Sequence, residues 1–398
     1  MVDEDIAEAA AEAVDMDEVL AFARALIAAP SENPGGTEDE AAAVAADILT
    51  GIGASPETIR SEEQRPSVVA SIGSGERPSL AWNGHLDVVP VGDLANWRHG
   101  PWEGVVEDGR LLGRGAADMK GPVASALAAA AAIRRAGIDL AGTLTFHLAA
   151  DEEHMGLYGT KVLFDRGLLD QDACIVGEPS DLRVGLAERG GAWIVATAKG
   201  TGAHGSTPDL GVNAITSMSR FVLRLLEVLP DREHPLVGRP SANAAVITGG
   251  SAPNVVPDRC ELLIDRRIIP GETDPAQVLA PFDRLAADIT REYPEVDLTF
   301  AIDAWTEAAE AAPDTVIAGA ARRAIAAERG TVAPDVGFTG ITDARFYIND
   351  VQIPTIIMGP GSLSVAHTAN EWVLVDDLVA AARIYARIFV GFLGAQEK

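Results

Sequence analysis

Apolar positions along the chain follow two kinds of spacing that alternate. Spacing of three and four residues predicts helices over 16–29, 38–52 and 119–136. Short runs rich in apolar and β-branched residues predict strands between these helices, at 66–73, 80–89, 142–150 and 173–176. Because strand, loop and helix follow one another in turn, we expect an α/β fold with a central, mostly parallel sheet flanked by helices.

The pattern changes over residues 186–303. The predicted elements there follow the order β-α-β-β-α-β, at 192–199, 213–229, 244–249, 259–269, 275–292 and 296–302. This order is that of a ferredoxin-like α+β unit. We therefore predict an inserted second domain at 186–303. Residues 1–185 and 304–398 would form one discontinuous domain, with a further strand at 355–358 and a closing helix at 376–392.

Acidic residues dominate the charge of this chain. It contains 59 Asp and Glu against 31 Lys and Arg, a formal charge of −28, in 398 residues of which 47% are hydrophobic. Such a globular surface repels phosphate backbones and anionic lipid, so we expect neither nucleic-acid nor membrane binding. An acid-rich, lysine-poor chain is also similar to proteins of salt-loving organisms, in which high ionic strength screens the self-repulsion. We therefore expect a halophilic protein.

Cysteine usage and the apolar runs suggest a compartment. Cys174 and Cys260 lie in separate apolar runs, and two cysteines in so long a chain do not form a disulfide framework. The acidic start of the chain lacks the cationic and apolar regions of a signal peptide. No apolar stretch approaches the roughly 18 residues that span a bilayer. We expect a cytoplasmic location.

Several acidic or imidazole side chains stand where an apolar run gives way to a turn. They are His85, Asp118, Glu153, Glu178 and His367. Each one alone has an ordinary explanation, and Asp118 could simply cap the helix that follows it. Together, two imidazoles and three carboxylates suit a pair of divalent ions, because one carboxylate can bridge them. A metal-dependent hydrolase is therefore the leading interpretation.

Two further carboxylates adjoin these residues. Asp87 lies two residues after His85, so on a continuing strand both side chains would face the same way and Asp87 could orient the imidazole. Glu152 and Glu153 are adjacent, so extended backbone cannot aim both at one ion. One would bind metal while the other stays free as a general base. The alternative for this pair is a solvated acidic turn.

Strings in both predicted domains resemble those of the M20 metallopeptidase family. They are GHLDVVP, GRGAADMKG, ADEEHMG, VGEPSD, GAHGSTPDLGVNAI, NVVPDRCELLIDRRIIPGE, GITDARF and GPGSLSVAHTANEW, in order over nearly the whole chain. The family includes acetylornithine deacetylase, succinyl-diaminopimelate desuccinylase, aminoacylase and glutamate carboxypeptidase. The resemblance implies a catalytic domain with two zinc ions and an inserted lid that also mediates dimerisation.

The resemblance implies a ligand set for the two ions. Asp118 would bridge them. His85 and Glu178 would complete one site, and Glu153 and His367 would complete the other.

The resemblance also implies roles for residues that bind no metal. Glu152 would be the general acid and base, and Asp87 would support the imidazole of the first site. In the lid, His204 would polarise the scissile carbonyl, reaching across from the partner subunit of a homodimer. Asn254 and Arg267 would hold the carboxylate of the substrate.

These residues together predict an amidohydrolase that cleaves the amide of an N-acyl amino acid. Zn²⁺ is the expected metal, with Co²⁺ or Mn²⁺ as alternatives, and two cations that share a water lower its pKa from about 15.7 toward 7. Glu178 stands where peptidase-like branches of the family often have Asp, so it resembles the deacylase and desuccinylase branches. A carboxypeptidase or dipeptidase acting on short peptides is the alternative. A non-catalytic binding protein that kept the fold is a third hypothesis, but such a protein should have lost ligands.

Overall fold

A computed structural model describes residues 4–35 and 38–396 of the protein. Its helices are α1 (Glu4–Glu12), α2 (Met16–Ile27), α3 (Asp39–Gly51), α4 (Lys120–Arg135), α5 (Thr160–Asp165), α6 (Ala214–Val222), α7 (Pro275–Glu292), α8 (Val316–Arg329) and α9 (Val375–Leu393). Its strands are β1 (Glu57–Arg60), β2 (Pro66–Gly73), β3 (Ser79–His85), β4 (Val105–Glu107), β5 (Arg110–Leu112), β6 (Thr143–Ala149), β7 (Ala173–Val176), β8 (Gly185–Glu188), β9 (Gly190–Lys199), β10 (Ser241–Gly249), β11 (Arg259–Ile268), β12 (Asp297–Thr306), β13 (Ala309–Glu310), β14 (Val336–Phe338), β15 (Thr355–Ile357) and β16 (Trp372–Leu374). No helix in these two ranges is long and apolar enough to cross a membrane.

The chain folds as two compact units. The first comprises Met1–Leu186, Ala311–Val336 and Thr342–Lys398, and the second comprises Ala187–Glu310 and Gly337–Ile341. The second unit therefore extends past the predicted limit at residue 303. The reason is that β12 continues to Thr306 and β13 then pairs with Ala187 and Glu188.

The sheet of the first unit follows the strand order β1-β2-β6-β3-β7-β15-β8. Strand β3 pairs in parallel with β6 and β7, and β15 pairs in parallel with β7. Strands β1 and β2 are antiparallel and lie at one side. The predicted mostly parallel central sheet is confirmed. Because β3, β6, β7 and β15 run in one direction, their carboxyl ends lie along the same edge.

Aromatic side chains join this sheet to helix α9. Trp82 on β3 meets Tyr385 edge-on with 5.8 Å between the ring centroids, and Phe146 on β6 meets Phe389 edge-on at 6.3 Å. All four side chains are buried. Burying one side chain such as Phe contributes roughly 1.5–3 kcal/mol. The packing therefore gives the strand ends a rigid base.

The second unit contains an antiparallel sheet with the order β10-β11-β9-β12. Its elements follow the predicted sequence β9-α6-β10-β11-α7-β12, so the predicted ferredoxin-like α+β unit is confirmed. Phe221, Phe282 and Phe300 form an aromatic cluster between the helices and the sheet. Helix α6 ends at Val222 rather than continuing to residue 229, and a 3-10 turn at Leu225–Val228 follows it.

Candidate metal centre

Three parallel strands deliver polar side chains to one edge of the sheet. β3 ends at His85, and β7 ends two residues before Glu178. After β6 the chain enters a 3-10 turn that contains Glu152 and Glu153. Because the carboxyl ends of these strands lie side by side, residues far apart in the sequence meet here.

Asp118 and His367 reach the same place from loops. Asp118 lies just before α4, but the N-cap position belongs to Met119 and no side chain caps this helix. The cap explanation for Asp118 is therefore wrong. His367 follows β15 and has a φ of 61°, a left-handed conformation that residues other than glycine adopt rarely. The backbone of this loop thus adopts an unusual conformation at the residue that presents the imidazole.

The first group of ligand atoms comprises His85, Asp118 and Glu178. His85 Nε2 lies 3.2 Å from Asp118 Oδ1 and 3.6 Å from Glu178 Oε1. All three side chains are buried.

The second group comprises Asp118, Glu153 and His367. His367 Nε2 lies 3.3 Å from Asp118 Oδ2 and 3.0 Å from Glu153 Oε2. Asp118 is common to both groups and turns one oxygen toward each imidazole. This is the arrangement that a carboxylate bridging two ions requires.

The residues present fit a pair of divalent cations. Atoms bound at about 2.0–2.1 Å around a tetrahedral zinc ion stand roughly 3.3 Å from one another, close to the separations within each group. Nitrogen and carboxylate oxygen are also ligands that zinc accepts. Burial and the neighbouring charges of Asp118 and Glu152 raise the pKa of Glu178 well above its ordinary value. Cations would relieve this crowding of negative charge.

Glu152 stands beside the ligand groups without belonging to either. Its Oε2 lies 3.8 Å from His85 Nε2, and its side chain is 9% exposed. Burial raises the pKa of Glu152 well above its ordinary value; His85 lowers it, and the negative charges of Asp343 and Glu153 raise it further. A free carboxylate with a raised pKa next to a metal group is suited to accept and return a proton.

Asp87 supports the site differently from the sequence expectation. β3 ends at His85, so the two side chains do not share one face of a strand. His85 Nδ1 donates to the backbone carbonyl oxygen of Asp87 at 2.9 Å, whereas the nearest carboxylate oxygen is 3.5 Å away. That carboxylate accepts hydrogen bonds from the backbone N–H groups of Glu152 at 3.2 Å and Glu153 at 3.1 Å. Asp87 therefore orients the imidazole through its backbone and holds the 3-10 turn through its side chain.

Sequence reasoning missed the residues that hold Asp87. Asn33 Nδ2 donates to Asp87 Oδ2 at 2.8 Å and to Asp151 Oδ1 at 3.2 Å. Arg65 Nη1 in turn donates to Asn33 Oδ1 at 3.0 Å, and Arg65 Nη2 pairs with Glu38. An Asn before a Pro reads as a turn residue, so no local signal distinguishes Asn33.

Two buried carboxylates near the site were also missed. Asp343 accepts a hydrogen bond from Thr160 Oγ1 at 2.6 Å, and its charge contributes to raising the pKa of Glu152. Glu371 accepts from the backbone N–H of Asp118 at 3.0 Å. Both lie inside strings that carry the family resemblance, GITDARF and GPGSLSVAHTANEW, and that was their only signal in the sequence.

Within the second unit, His204 and Asn254 lie close together. His204 forms an isolated antiparallel bridge with Val255, and the N–H of Gly205 donates to the Asn254 carbonyl oxygen at 2.8 Å. His204 Nδ1 contacts Ser206 Oγ at 2.7 Å. The Nδ1 contact leaves Nε2 as the ring nitrogen that could meet a substrate.

The adjacent arginines of β11 differ in their surroundings. Arg266 is buried and pairs with Glu272 at 2.5 Å. Arg267 pairs with Asp265 at 3.0 Å and keeps 34% of its side chain exposed. Both arginines therefore have a carboxylate partner inside the unit, but Arg266 is buried whereas Arg267 is partly exposed.

Two adjoining groups of metal ligands, together with a carboxylate that belongs to neither, are the parts that metal-dependent hydrolysis requires. A sequence model of Peptidase family M20/M25/M40 matches residues 81–390. The chain belongs to this family and is one of its amide-cleaving hydrolases. The resemblance predicted from the sequence is thereby confirmed.

Relatives with named activities cover most of the chain. It is 34% identical over 394 residues to a succinyl-diaminopimelate desuccinylase of Methylobacterium radiotolerans, with 94% of this chain and 96% of the relative covered. It is 32% identical over 340 residues to an acetylornithine deacetylase of Myxococcus xanthus, with 83% and 84% covered.

Solved structures share the fold. Human carnosine dipeptidase 1 matches with a TM-score of 0.78 at 20% identity, covering 98% of this chain and 99% of that one. A dinuclear metal binding peptidase of the M20 family from Bacillus subtilis matches with a TM-score of 0.71 at 19% identity, covering 96% and 99%. At such identities these likenesses establish the fold alone.

Proposed function

We propose that the protein is a metal-dependent amidohydrolase that removes the acyl group from an N-acyl amino acid. The observation that carries this proposal is the pair of ligand groups sharing Asp118, with Glu152 beside them and free of both. The relatives named as a desuccinylase and a deacetylase support an N-acyl amino acid as the substrate class.

His85, Asp118 and Glu178 would hold one divalent ion, and Asp118, Glu153 and His367 would hold the other. We propose Zn²⁺ for both positions, with Co²⁺ or Mn²⁺ as substitutes. Bound ions of this kind polarise a carbonyl oxygen and lower the pKa of bound water to about 7.

Glu152 would act first as the general base and then as the general acid. Its carboxylate accepts a proton from the water that attacks the amide carbon, and an oxygen–carbon bond forms. The same carboxyl group then donates that proton to the departing nitrogen as the carbon–nitrogen bond breaks. The backbone hydrogen bonds from Glu152 and Glu153 to Asp87 keep the base and its neighbouring ligand in fixed positions.

In the second unit we propose that His204 polarises the scissile carbonyl and that Asn254 and Arg267 bind the carboxylate of the substrate. The family resemblance supports these roles, and the partly exposed side chain supports Arg267 over the buried Arg266. We further propose that His204 comes from the partner subunit of a homodimer.

The edge of the second sheet supports a homodimer. β10 lies at one end of that sheet and exposes Val246 at 54% and Ile247 at 53%. An exposed apolar edge strand is a template for pairing with another strand. If β10 pairs with its copy, Val246→Glu should yield monomers in sedimentation, while a matched change at Leu94, an exposed residue of the first unit, should leave the assembly intact.

The composition leads us to propose a cytoplasmic protein adapted to salt. Cys174 and Cys260 are both free and buried, as expected in a reducing compartment. The charge of −28 predicts that KCl raises the free energy of unfolding, because added ions screen repulsion between exposed carboxylates. Urea unfolding at low and molar KCl measures this, and equal midpoints would contradict the proposal.

A substrate panel tests the function. Protein loaded with Zn²⁺ should release amino acid from N-acetylornithine, N-succinyl-diaminopimelate or a related N-acyl amino acid faster than from dipeptides. Faster release from dipeptides would favour the alternative, a carboxypeptidase or dipeptidase. Metal-loaded protein that cleaves none of these compounds would favour a binding protein.

A further inference from the structure

A buried ion pair between Arg114 and Glu371 adjoins the backbone of Asp118 and belongs to neither ligand group. Arg114 Nη1 is 2.6 Å from Glu371 Oε2, and the two side chains are 2% and 0% exposed. The pair is separated by more than 250 positions in the chain. Desolvating two charges costs free energy, so such a pair is expected where it specifies an arrangement of the chain.

Glu371 uses its other oxygen to hold the backbone at the shared ligand. Glu371 Oε1 accepts hydrogen bonds from the N–H groups of Ala117 at 2.9 Å and Asp118 at 3.0 Å. Two charge-assisted hydrogen bonds to consecutive N–H groups fix both the position and the direction of this peptide segment. The direction of the Asp118 side chain, with one oxygen toward each imidazole, depends on that segment.

Arg114 joins this segment to the loop of the second imidazole. Its Nη1 also donates to the carbonyl oxygen of Thr368, the residue after His367, at 3.2 Å. The N–H of Gly113 donates to the carbonyl oxygen of Glu371 at 3.0 Å. The ion pair and its hydrogen bonds therefore tie residues 113–118 to residues 367–371.

The second imidazole has little other support. The His367 side chain is 52% exposed, and its Nε2 contacts Asp118 and Glu153, which are themselves ligands of the second group. His85, by contrast, is 1% exposed, and its Nδ1–H donates a hydrogen bond to the backbone carbonyl oxygen of Asp87. Loosening the loop should thus affect the second group far more than the first.

We infer that Arg114 and Glu371 are positioning residues that set the distance between Asp118 and His367 and thereby the affinity for the second cation. This inference rests on the proposed function, which supplies the two cations. Loss of a group that orients a metal ligand typically lowers metal affinity roughly ten- to hundredfold. Here the loss falls mainly on the second ion, because the other two ligands of the first ion, His85 and Glu178, are both buried.

The test uses the full-length protein with Zn²⁺ as the probe. Glu371→Asp keeps the charge that pairs with Arg114 but withdraws the carboxylate from the two N–H groups. Glu328→Gln is the control, because Glu328 also pairs with an arginine, Arg387 at 2.7 Å, in a partly buried bridge between α8 and α9. Metal-free samples are titrated with Zn²⁺ by calorimetry, the bound metal is counted after dialysis, and circular dichroism verifies folding.

Wild type and E328Q should bind two Zn²⁺ ions, whereas E371D should keep one tightly and bind the second roughly ten- to hundredfold more weakly. Two ions bound by E371D with wild-type affinities would overturn the inference alone. Wild type that does not bind two ions would overturn the proposed function and this inference with it. If E371D does not fold, Arg114→Lys is measured in the same way, since one ammonium cannot reproduce the contacts to Glu371 and Thr368. Two wild-type affinities in R114K would likewise overturn the inference.

Discussion

The pKa of histidine is shifted in opposite directions in the interior of the sheet and at the edge where its parallel strands end. His147 on β6 is fully buried, stacks on Tyr347 and contacts its hydroxyl at 2.7 Å. Burial lowers the pKa of His147 to about 4. At the edge, hydrogen bonds to Asp118 and Glu153 raise the pKa of His367 to about 10. Burial alone keeps an imidazole neutral, whereas surrounding carboxylates make it cationic.

This difference shows that the carboxylates at the edge favour positive charge beside them. Protons on the imidazoles offset part of the negative charge of the carboxylates, which is the role divalent cations would take over. Metal and protons therefore compete for the same nitrogens.

Removing metal should have the largest effect. If the strand-end cluster, which comprises the two ligand groups, is active only with bound cations, chelation should abolish hydrolysis, and added Zn²⁺ should restore it. The measurement is the hydrolysis rate before chelation, after it and after metal is returned. Unchanged turnover in protein shown by elemental analysis to be metal-free would remove the cluster from the mechanism.

Substitutions at Glu152 and Glu153 should distinguish the general base from a metal ligand. Loss of a general base typically lowers the rate by about 10² to 10⁴, so Glu152→Gln should lose that much kcat while still binding two ions. Glu153→Gln, at the neighbouring position, should instead weaken metal binding. Steady-state kinetics and metal counts on both variants measure this, and wild-type turnover by E152Q would disprove the assignment.

The two imidazoles of the cluster should differ in their effect on stability. His85 is 1% exposed among carboxylates, and removing one partner from a buried charged group costs about 3–5 kcal/mol. His367 is 52% exposed, so solvent screens its ion pairs and they contribute less. Urea unfolding of metal-free His85→Ala and His367→Ala should show this order. Equal losses would mean that exposure does not decide the contribution.

The interior histidine should make stability depend on pH. The pKa of His147 falls from an ordinary 6.5 to about 4 in the folded protein. Unfolded chains therefore bind more protons between these values, and the stabilisation present above pH 6.5 is lost as the pH falls toward 4. The loss is at most about 3 kcal/mol. His147→Phe should unfold with a shallower pH dependence than wild type in this range, and parallel curves would contradict the low pKa.

Elements with strong local signals were predicted well. The strands Pro66–Gly73 and Ala173–Val176 and the helix Pro275–Glu292 have the predicted bounds. Asp274 caps this helix, because its Oδ1 accepts a hydrogen bond from the Ala276 N–H at 2.9 Å, and Pro275 fits the first turn. Helix Glu4–Glu12 was missed, because its apolar positions are one Ile and four Ala, a weaker apolar signal than the Val, Leu and Phe of Met16–Ile27.

The sequence by itself determined which residue types stand at the ends of the parallel strands, and its family resemblance implied the two ligand groups that the structure brings together. Local patterns suffice there, because a strand end and its next turn are adjacent in the chain. Only the tertiary structure decided what holds those residues. Asn33 meets Asp87 across 54 positions and Glu371 meets Asp118 across 253. No periodicity encodes such contacts, since a buried carboxylate acquires its partners only when distant segments fold against each other.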